Sequence, residues 1–344
     1  MEIHWNNEND KILVQRTDDH MAQTLKDVGE RNLIELIKSI VQDDTVDIPL
    51  GDDCAVLDMG ERYLLVSTDM ISKQTHLCPA MSYKDIGWFV TAINLSDIAA
   101  KGGTPLGVLL AYGLSKDMPI ADFKDIVKGA DDCAKTYHSS IIGGDTKEHT
   151  DMVISGTSIG IVDKTEFMGR AGAKPDDIIV VTGELGKAAS GFLSMQEGKT
   201  GDDLKGLIHP IPRIIEGRKL AKSKKVHCCI DVSDGLSTSL YELQRFNDVG
   251  FQIDYSKIPV DPMLVMHTDQ RALDNYLLHF GGEYELLACI PSDDLSYLQK
   301  KITPTPLSMI GKVTKDTAIT IKKEGTIKPL ENKGYEHFSR QEFS

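Results

Sequence analysis

Seven aspartates, spread over more than half of the chain, lie among small, turn-forming residues at or near the ends of apolar segments. They occur in five short motifs: Gly51-Asp52-Asp53, Ser67-Thr68-Asp69, Asn94-Leu95-Ser96-Asp97, Gly143-Gly144-Asp145-Thr146 and Asp231-Val232-Ser233-Asp234-Gly235. Carboxylates gathered at one place repel one another, and hard cations such as Mg²⁺ relieve that repulsion. The pattern therefore predicts a fold in which several chain segments end at one polyanionic, magnesium-binding site.

The composition limits which kinds of protein this chain can be. The chain has 344 residues, of which 41% are hydrophobic and 26% charged, so it can bury an ordinary core and is expected to form two domains. Its formal net charge of -14 argues against a nucleic-acid partner. An anionic substrate would need bound cations or a few well-placed basic residues, which agrees with metal-assisted phosphate chemistry.

The cysteines and the apolar segments indicate in which cellular compartment the protein is expected. The six cysteines form no C-x-x-C pair and have no zinc-ligand spacing, which predicts reduced packing thiols. The sequence has no long uncharged apolar stretch, and its first 19 residues are polar and charged. We therefore expect no membrane partner and a cytoplasmic protein.

The first half predicts alternating helices and strands. We expect an N-terminal arm over residues 1–28, then a helix through Leu33–Ile40, and strands at Leu64–Val66 and Met152–Val162. In a further helix from about Asp85 to Lys101, the residues Ile86, Phe89, Val90 and Ile93 mark an apolar face that Asp97 continues. A carboxylate on a buried face is costly unless it is paired or binds a metal, so Asp97 is expected to be a metal ligand; a charge at a fraying helix end is the alternative.

The second half begins near residues 164–177, where Gly169, Gly172 and Pro175 interrupt the periodicity. The predicted domain boundaries therefore give an N-terminal domain over 29–165 and a C-terminal domain over 166–344. Strands are expected at Ile178–Val181 and Val226–Ile230, with a helix over Gly235–Phe246. Asp231 and Asp234 then lie on a strand-to-helix turn, which suits anions and metal-bound waters.

Several nucleotide-binding motifs are excluded. The segment Thr182-Gly183-Glu184-Leu185-Gly186-Lys187 resembles a P-loop, but Val181 replaces its first Gly and Ala188 its Ser or Thr. No G-x-G-x-x-G occurs, which excludes the dinucleotide fingerprint and the protein-kinase glycine loop. Asp231–Gly235 does not have the residue order of an EF-hand loop. A nucleotide would need another scaffold.

Taken in order, the aspartate motifs resemble those of the thiamine-monophosphate kinase family, within the aminoimidazole ribonucleotide synthetase-like superfamily. The resemblance extends from about Gly29 to Phe338 and includes His209-Pro210-Ile211-Pro212-Arg213, Gly281-Gly282-Glu283-Tyr284-Glu285-Leu286 and Lys333-Gly334-Tyr335-Glu336-His337-Phe338. Within the superfamily, the resemblance is specific to the kinases because of three segments, N-L-S-D-I-A-A, I-G-G-D-T and K-G-Y-E-H-F. Many family members have Gly-Glu-Asp-Tyr-Glu-Leu where this chain has Gly-Gly-Glu-Tyr-Glu-Leu.

The resemblance implies an activity and an assembly. The activity is ATP-dependent phosphorylation of thiamine monophosphate to thiamine diphosphate, by direct in-line transfer assisted by several Mg²⁺ ions. The implied fold is α/β plus α+β: an N-terminal Mg/ATP-binding α/β domain and a C-terminal α+β domain, with the N-terminal sheet pairing into a barrel across a homodimer. An acceptor phosphate is already ionised at neutral pH, so no acid, base or nucleophile is expected among the side chains.

The resemblance also implies residue roles. It assigns the metal ligands Asp53, Ser67, Thr68, Asp69, Asp97, Asp145, Asp231 and Asp234. It assigns ATP contacts to Asp52, Gly144, Asp145, Arg170 and Ser233, and substrate contacts to His76, Tyr112, Glu283 and Tyr335. From the residues alone, Arg170 could instead be a solvated linker charge, His76 a structural histidine and Tyr335 a packing aromatic.

Two other functions stay open at this point. One is another ATP-dependent enzyme of the same superfamily, such as a formylglycinamidine cyclase. The other is a non-catalytic protein that binds Mg²⁺ and nucleotide.

Overall fold

The computed structural model describes residues 24–41, 48 and 50–338. They divide into two compact units, one containing residues 24–41 and 336–338, the other residues 48 and 50–335. Residues 1–23 of the expected N-terminal arm lie outside the described residues. Within the described part of the chain, no helix has the length and apolar character needed to cross a membrane.

The first unit is helical. Its elements are α1 (Leu25–Val28) and α2 (Glu30–Ile40). Gly29, with φ of 77°, makes the turn between them, a conformation that suits glycine. The backbone N–H of Arg31 donates to Glu336 Oε1 at 3.1 Å, which ties the start of α2 to the C-terminal segment. The helix predicted through Leu33–Ile40 is confirmed.

A five-stranded sheet forms the first half of the larger unit. Its strands are β1 (Ala55–Asp58), β2 (Arg62–Ser72), β3 (Thr104–Leu114), β4 (Ile141–Glu148) and β5 (Val153–Asp163). They lie in the order β1-β2-β5-β3-β4; β3 and β4 are parallel, and the other neighbours are antiparallel. The strands predicted around Leu64–Val66 and Met152–Val162 are confirmed as parts of β2 and β5.

Helix α3 (Tyr83–Ala100) carries the Asp97 motif, and α4 (Ile120–Thr136) packs beside it. Ser82 Oγ accepts a hydrogen bond from Asp85 N at 3.2 Å, and the Asp85 carboxylate accepts one from Ser82 N at 2.9 Å, so a capping box begins α3. A Cβ on Gly129 would lie 1.9 Å from Lys84 O, so glycine is required where the helices approach. The predicted apolar face is buried. Burial extends beyond that face over most of the helix, because α3 contacts α4, the five-stranded sheet and the second half of the unit.

A seven-stranded sheet forms the second half of this unit. Its strands are β6 (Ile178–Thr182), β7 (Cys228–Asp231), β8 (Gly250–Asp254), β9 (Leu286–Ile290), β10 (Leu307–Thr314), β11 (Ile319–Lys323) and β12 (Thr326–Pro329). They lie in the order β12-β11-β8-β10-β6-β9-β7, and only β11 and β8 are parallel neighbours. The predicted strands at Ile178–Val181 and Val226–Ile230 are confirmed, the second beginning two residues later.

The remaining helices surround the second sheet. They are α5 (Lys187–Gln196), α6 (Lys205–Ile208), α7 (Ile214–Ser223), α8 (Leu236–Gln244), α9 (Pro262–His267), α10 (Gln270–His279) and α11 (Leu295–Lys301). Helix α8 confirms the helix predicted over Gly235–Phe246. One apolar cluster includes residues of α3, of β2 and of β7. The C-terminal half of α3 therefore lies between the two sheets.

Candidate functional site

Three aspartates from distant segments converge where α3 lies between the sheets. Asp53 lies in the turn before β1, Asp97 is in the last turn of α3, and Asp231 ends β7. Carboxylate oxygens of the three lie within 4.8 Å of one another. The polyanionic site predicted from the sequence thus contains at least these three members.

Asp69 joins this group from β2. Its backbone N–H donates to Asn94 Oδ1 at 3.0 Å, and Asn94 is fully buried on α3, so the amide fixes β2 against the helix. A Cβ on Gly156 would lie 2.3 Å from Asn94 Nδ2, so β5 needs glycine there. Burial, partly offset by a hydrogen bond to Asp97, raises the pKa of Asp69 to about 6.

Burial also raises the pKa of the other two inner carboxyls. The pKa of Asp97 lies well above its ordinary value because of burial and the charges of Asp69 and Asp231. Burial and the charge of Asp53 raise the pKa of Asp231 to about 7. Without a cation, the site therefore disfavours full ionisation at neutral pH.

Two serine hydroxyls orient these carboxylates. Ser67 Oγ donates a hydrogen bond to Asp97 Oδ2, and Ser96 Oγ donates to Asp231 Oδ2 at 2.6 Å. Successive residues of a strand face opposite sides of the sheet, so the side chain of Thr68 points away from Ser67. The Thr68 hydroxyl donates to Gly156 O at 2.8 Å. Of the two predicted hydroxyls, only that of Ser67 lies at the carboxylates.

Two cations lie beside the Asp52–Asp53 turn. Lys101 Nζ is 2.5 Å from Asp52 Oδ1 and 2.8 Å from Asp53 Oδ2. Arg170 donates from Nε to Asp53 Oδ1 at 2.9 Å and from its backbone N–H to Asp52 Oδ2 at 3.0 Å. Burial alone would raise the pKa of Asp52, but the charges and hydrogen bonds of Lys101 and Arg170 together outweigh it and lower that pKa. Arg170 is therefore a site residue and not a solvated linker charge.

Lys101 was missed in the sequence. It follows α3 directly and is fully buried. Burial opposes its charge, yet Asp52 and Asp53 raise the pKa of Lys101 above its ordinary value. One signal could have found it: Lys101 is four residues after Asp97, and residues so spaced share a helix face.

Tyr284 is a second missed residue. Its φ of 53° is uncommon for an aromatic residue, and its backbone N–H donates to Val232 O at 2.8 Å. The ring packs edge-on against Phe89, with centroids 6.3 Å apart. Burial, together with the charges of Asp69 and Asp231, raises the pKa of Tyr284.

The Asp231–Gly235 turn is held by two glycine-containing loops. Gly282 N donates to Ser233 O at 2.6 Å, and Tyr335 N donates to Asp234 O at 3.1 Å. A Cβ on Gly334 would lie 2.2 Å from Asp234 O, so glycine is needed beside Tyr335. The turn predicted to carry Asp231 and Asp234 is thus fixed from two sides.

Asp145 lies apart from the three-carboxylate group. It is exposed on β4, and its carboxylate accepts from Thr146 N at 2.8 Å and lies 3.3 Å from Lys147 Nζ. Gly144 lies in the same cross-strand row as Asp69, with β5 and β3 between their strands. Three strand spacings put Gly144 roughly 14 Å from Asp69. Asp145 therefore marks a separate acidic position on the same sheet.

The predicted substrate residues have varied surroundings. His76 follows β2, with Nδ1 2.6 Å from Thr75 Oγ1. Tyr112 is buried and packs edge-on against Phe123 at 5.5 Å. Glu283 accepts hydrogen bonds from the backbone N–H groups at the start of α5, at 3.2 and 3.3 Å. Burial, with the charge of Glu285, raises the pKa of Glu283 to about 8. In this structure Glu283 caps a helix.

Comparison with known proteins places both sheets in one family. Residues 51–162 match AIR synthase related protein, N-terminal domain, and residues 174–324 match AIR synthase related protein, C-terminal domain. Over 312 residues, the chain is 36% identical to thiamine-monophosphate kinase from Methanospirillum hungatei, covering 90% of this chain and 99% of that protein. Over 324 residues, it is 32% identical to thiamine-monophosphate kinase from Escherichia coli K12, covering 90% and 98%.

A solved structure agrees with these matches. The structure of AaThiL complexed with AMPPCP and TMP superimposes with a TM-score of 0.81 at 25% identity, covering 92% of this chain and all of that one. The two-domain fold and the family resemblance predicted from the motifs are confirmed. The chain belongs to the thiamine-monophosphate kinase family, within the AIR synthase related proteins.

Proposed function

We propose that this protein transfers the γ-phosphoryl group of ATP directly, in line, to thiamine monophosphate with the help of Mg²⁺, giving thiamine diphosphate and ADP. The observation that carries the proposal is the convergence of Asp53, Asp97 and Asp231 oxygens within 4.8 Å. Relatives named as thiamine-monophosphate kinases and a similar structure that holds AMPPCP and TMP supply the substrates.

The inner carboxylates fit Mg²⁺. Their donor atoms are all oxygens, and oxygens on opposite sides of one Mg²⁺ ion lie about 4 Å apart, which is compatible with the cluster. With the pKa of Asp69 raised to about 6 and that of Asp231 to about 7, the metal-free carboxyls hold protons at a higher pH than ordinary aspartates do, and a divalent cation would displace those protons. The residues present are thus suited to the metal.

The proposed metal-binding set follows from this fit. When bound at these residues, Mg²⁺ would supply positive charge that offsets the negative charge developing on the transferred phosphoryl group. The proposed ligands are Asp53, Ser67, Thr68, Asp69, Asp97, Asp145, Asp231 and Asp234. Because the Thr68 side chain faces away, Thr68 would contribute its backbone carbonyl. Asp145, roughly 14 Å along the sheet, would serve a different ion from the inner group.

The protein's own contribution is alignment and charge. The acceptor phosphate is already an anion, so no side chain has to remove a proton. The guanidinium of Arg170 donates to Asp53 and to Gly51 O in this structure, and its planar shape suits two phosphate oxygens if ATP displaces one of these contacts. Asp52, Gly144, Asp145 and Ser233 complete the proposed ATP contacts. His76, Tyr112, Glu283 and Tyr335 are proposed to place thiamine monophosphate, where Tyr335 offers an aromatic face to the cationic heterocycle.

Product analysis tests the activity. Purified protein is incubated with ATP, Mg²⁺ and thiamine monophosphate, beside a reaction without the thiamine compound and one with EDTA. We expect thiamine diphosphate and an equimolar amount of ADP only in the complete reaction. ATP binding that needs Mg²⁺ but yields no diphosphate would contradict the proposal and favour another superfamily reaction, such as formylglycinamidine cyclisation, or a regulatory binder.

We also propose a homodimer that pairs the five-stranded sheets. Strand β4 is an exposed edge, and Ile142 on it is 53% exposed. Leu106 on β3 and Met70 on β2 are 50% and 60% exposed. An exposed edge beside apolar side chains favours pairing with a second copy. Light scattering is expected to give about twice the chain mass of 37.9 kDa, and a strict monomer at working concentration would contradict the dimer.

A further inference from the structure

Lys101 is surrounded by oxygen atoms in the way a bound cation would be. Its Nζ lies 2.5 Å from Asp52 Oδ1, 2.8 Å from Asp53 Oδ2 and 2.9 Å from Cys229 O. Its side chain is fully buried, as are nearly all of the two carboxylates. A buried ammonium with this surrounding is fixed in position and permanently charged.

The acidic site consists of two parts with different charge balance. Asp52 and Asp53 carry two negative charges, which Lys101 and Arg170 match with two positive charges. Among the described residues, Asp69, Asp97 and Asp231 form no ion pair, and the hydrogen-bond partners of the latter two include Ser67 and Ser96. The two carboxylates of the first part have counter-ions within the protein, although Arg170 Nη1 also lies 3.5 Å from Glu242 Oε2, whereas the second part would draw its cation from solution.

Asp53 connects the two parts. One of its oxygens faces Lys101, and its carboxylate also belongs to the group within 4.8 Å of Asp97 and Asp231. Helix α3 supplies Asp97, and Lys101 follows directly after the helix, where its backbone N–H donates to Asp97 O at 3.2 Å. The ammonium is therefore placed at a fixed distance from the metal-binding carboxylates.

We propose that Lys101 is the resident cation of the acidic site. It is a positioning residue that neutralises Asp52 and holds Asp53 beside Asp97 and Asp231. Without its ammonium group, Asp52 and Asp53 would have to bind an exchangeable cation from solution. The inference rests on the proposed metal site. Its consequence is that the charge on Lys101 limits how tightly a divalent cation binds when no nucleotide is present.

Two substitutions with opposite effects test this role. Lys101→Met keeps most of the side-chain volume and removes the positive charge, so Mn²⁺ is expected to bind about tenfold tighter or more. Asp52→Asn keeps the shape and removes a negative charge, so Mn²⁺ is expected to bind about tenfold weaker or more. Mn²⁺ affinity is measured by electron paramagnetic resonance without nucleotide. Lys128→Met, which breaks an exposed pair with Asp132, is the matched control and should leave the affinity unchanged.

Thermal unfolding provides the second measurement. In EDTA, Lys101→Met is expected to have a lower Tm than the wild type, and Mg²⁺ should raise the Tm of this variant by more than it raises the wild-type Tm. Adding Asp52→Asn to Lys101→Met restores the charge balance and should recover most of the Tm in EDTA. If Lys101→Met cannot be purified, Asp52→Asn alone still decides the question.

Unchanged Mn²⁺ affinity in Asp52→Asn, or an affinity in Lys101→Met equal to or below that of the wild type, would overturn the proposal. Lys101 would then be a structural counter-ion only. The test is separate from the assay for thiamine diphosphate. Wild-type protein that binds Mn²⁺ but forms no diphosphate would refute the proposed activity without affecting the role of Lys101.

Discussion

Replacing Asp97 by Asn is expected to lower turnover by about two to three orders of magnitude, equivalent to about 3–4 kcal/mol of transition-state stabilisation. Asp97 has a carboxylate oxygen within 4.8 Å of those of Asp53 and Asp231, and it lies on a helix that contacts strands of both sheets. An amide of the same shape can still accept the hydrogen bond from Ser67, but it cannot supply the negative charge that Mg²⁺ requires. Steady-state rates at saturating ATP and thiamine monophosphate measure the loss.

The fold should survive this change. Burial raises the pKa of Asp97, so the folded protein favours the neutral form, and a neutral Asn removes the cost of burying the charge at pH 7. The Tm in EDTA is therefore expected to equal or exceed that of the wild type, while the increase caused by Mg²⁺ should shrink. Asp163→Asn, which breaks an exposed pair with Arg62, is the control and should keep normal turnover. Near-wild-type turnover of Asp97→Asn would remove Asp97 from the metal site.

The secondary structure around the site could be predicted because its local signals agree. The periodic apolar residues of α3, the short apolar run before Asp69 and the β-branched run of β5 each match their element. The extent of burial of α3 could not be read from one helix face, since it depends on contacts with α4 and with the second sheet. Gly129 and Gly156 show why: each is required by a close approach of another segment, which no local pattern predicts.

The site was predictable in type but not in detail. The turn-forming residues around Asp53, Asp97 and Asp231 indicated that these carboxylates meet, and they do. Lys101 could not be assigned a partner from sequence, because Asp52 and Asp53 precede it by almost fifty residues. Tyr284 was missed because its position depends on an unusual φ within the Gly281–Leu286 segment.

Asp145 shows the limit of reasoning from motifs. Its Gly-Gly-Asp-Thr setting resembles the other aspartate motifs, yet sheet order places β5 and β3 between its strand and that of Asp69. Strand order depends on long-range pairing, which a single sequence does not reveal. The distribution of the carboxylates over two positions, about 14 Å apart along the sheet, is therefore information that only the fold supplies.

Two family motifs meet in a buried ion pair. Arg213, in the His209–Arg213 segment, donates through Nε to Glu285 Oε2 at 2.6 Å and through a second nitrogen to Oε1. Thr182 Oγ1 also donates to Glu285 Oε2 at 2.6 Å. A Cβ on Gly183 would lie 2.1 Å from Glu285 Oε1, so glycine is required there. These motifs hold β6, α7 and β9 together and need not take part in the chemistry.

Replacing Arg213 by Met is expected to lower the free energy of unfolding by about 3–5 kcal/mol, because it leaves the Glu285 charge buried without its main counter-ion. This is a large part of the roughly 5–15 kcal/mol that usually stabilises a domain. Adding Glu285→Gln removes the unpaired charge, so the double variant should be more stable than Arg213→Met alone. Urea unfolding followed by circular dichroism measures the stability of the wild type, of Arg213→Met and of the double variant. Breaking the exposed Arg62–Asp163 pair should cost below about 1 kcal/mol. A double variant less stable than Arg213→Met would show that Glu285 stabilises the fold through Thr182 and the β6 backbone and not through its charge pair.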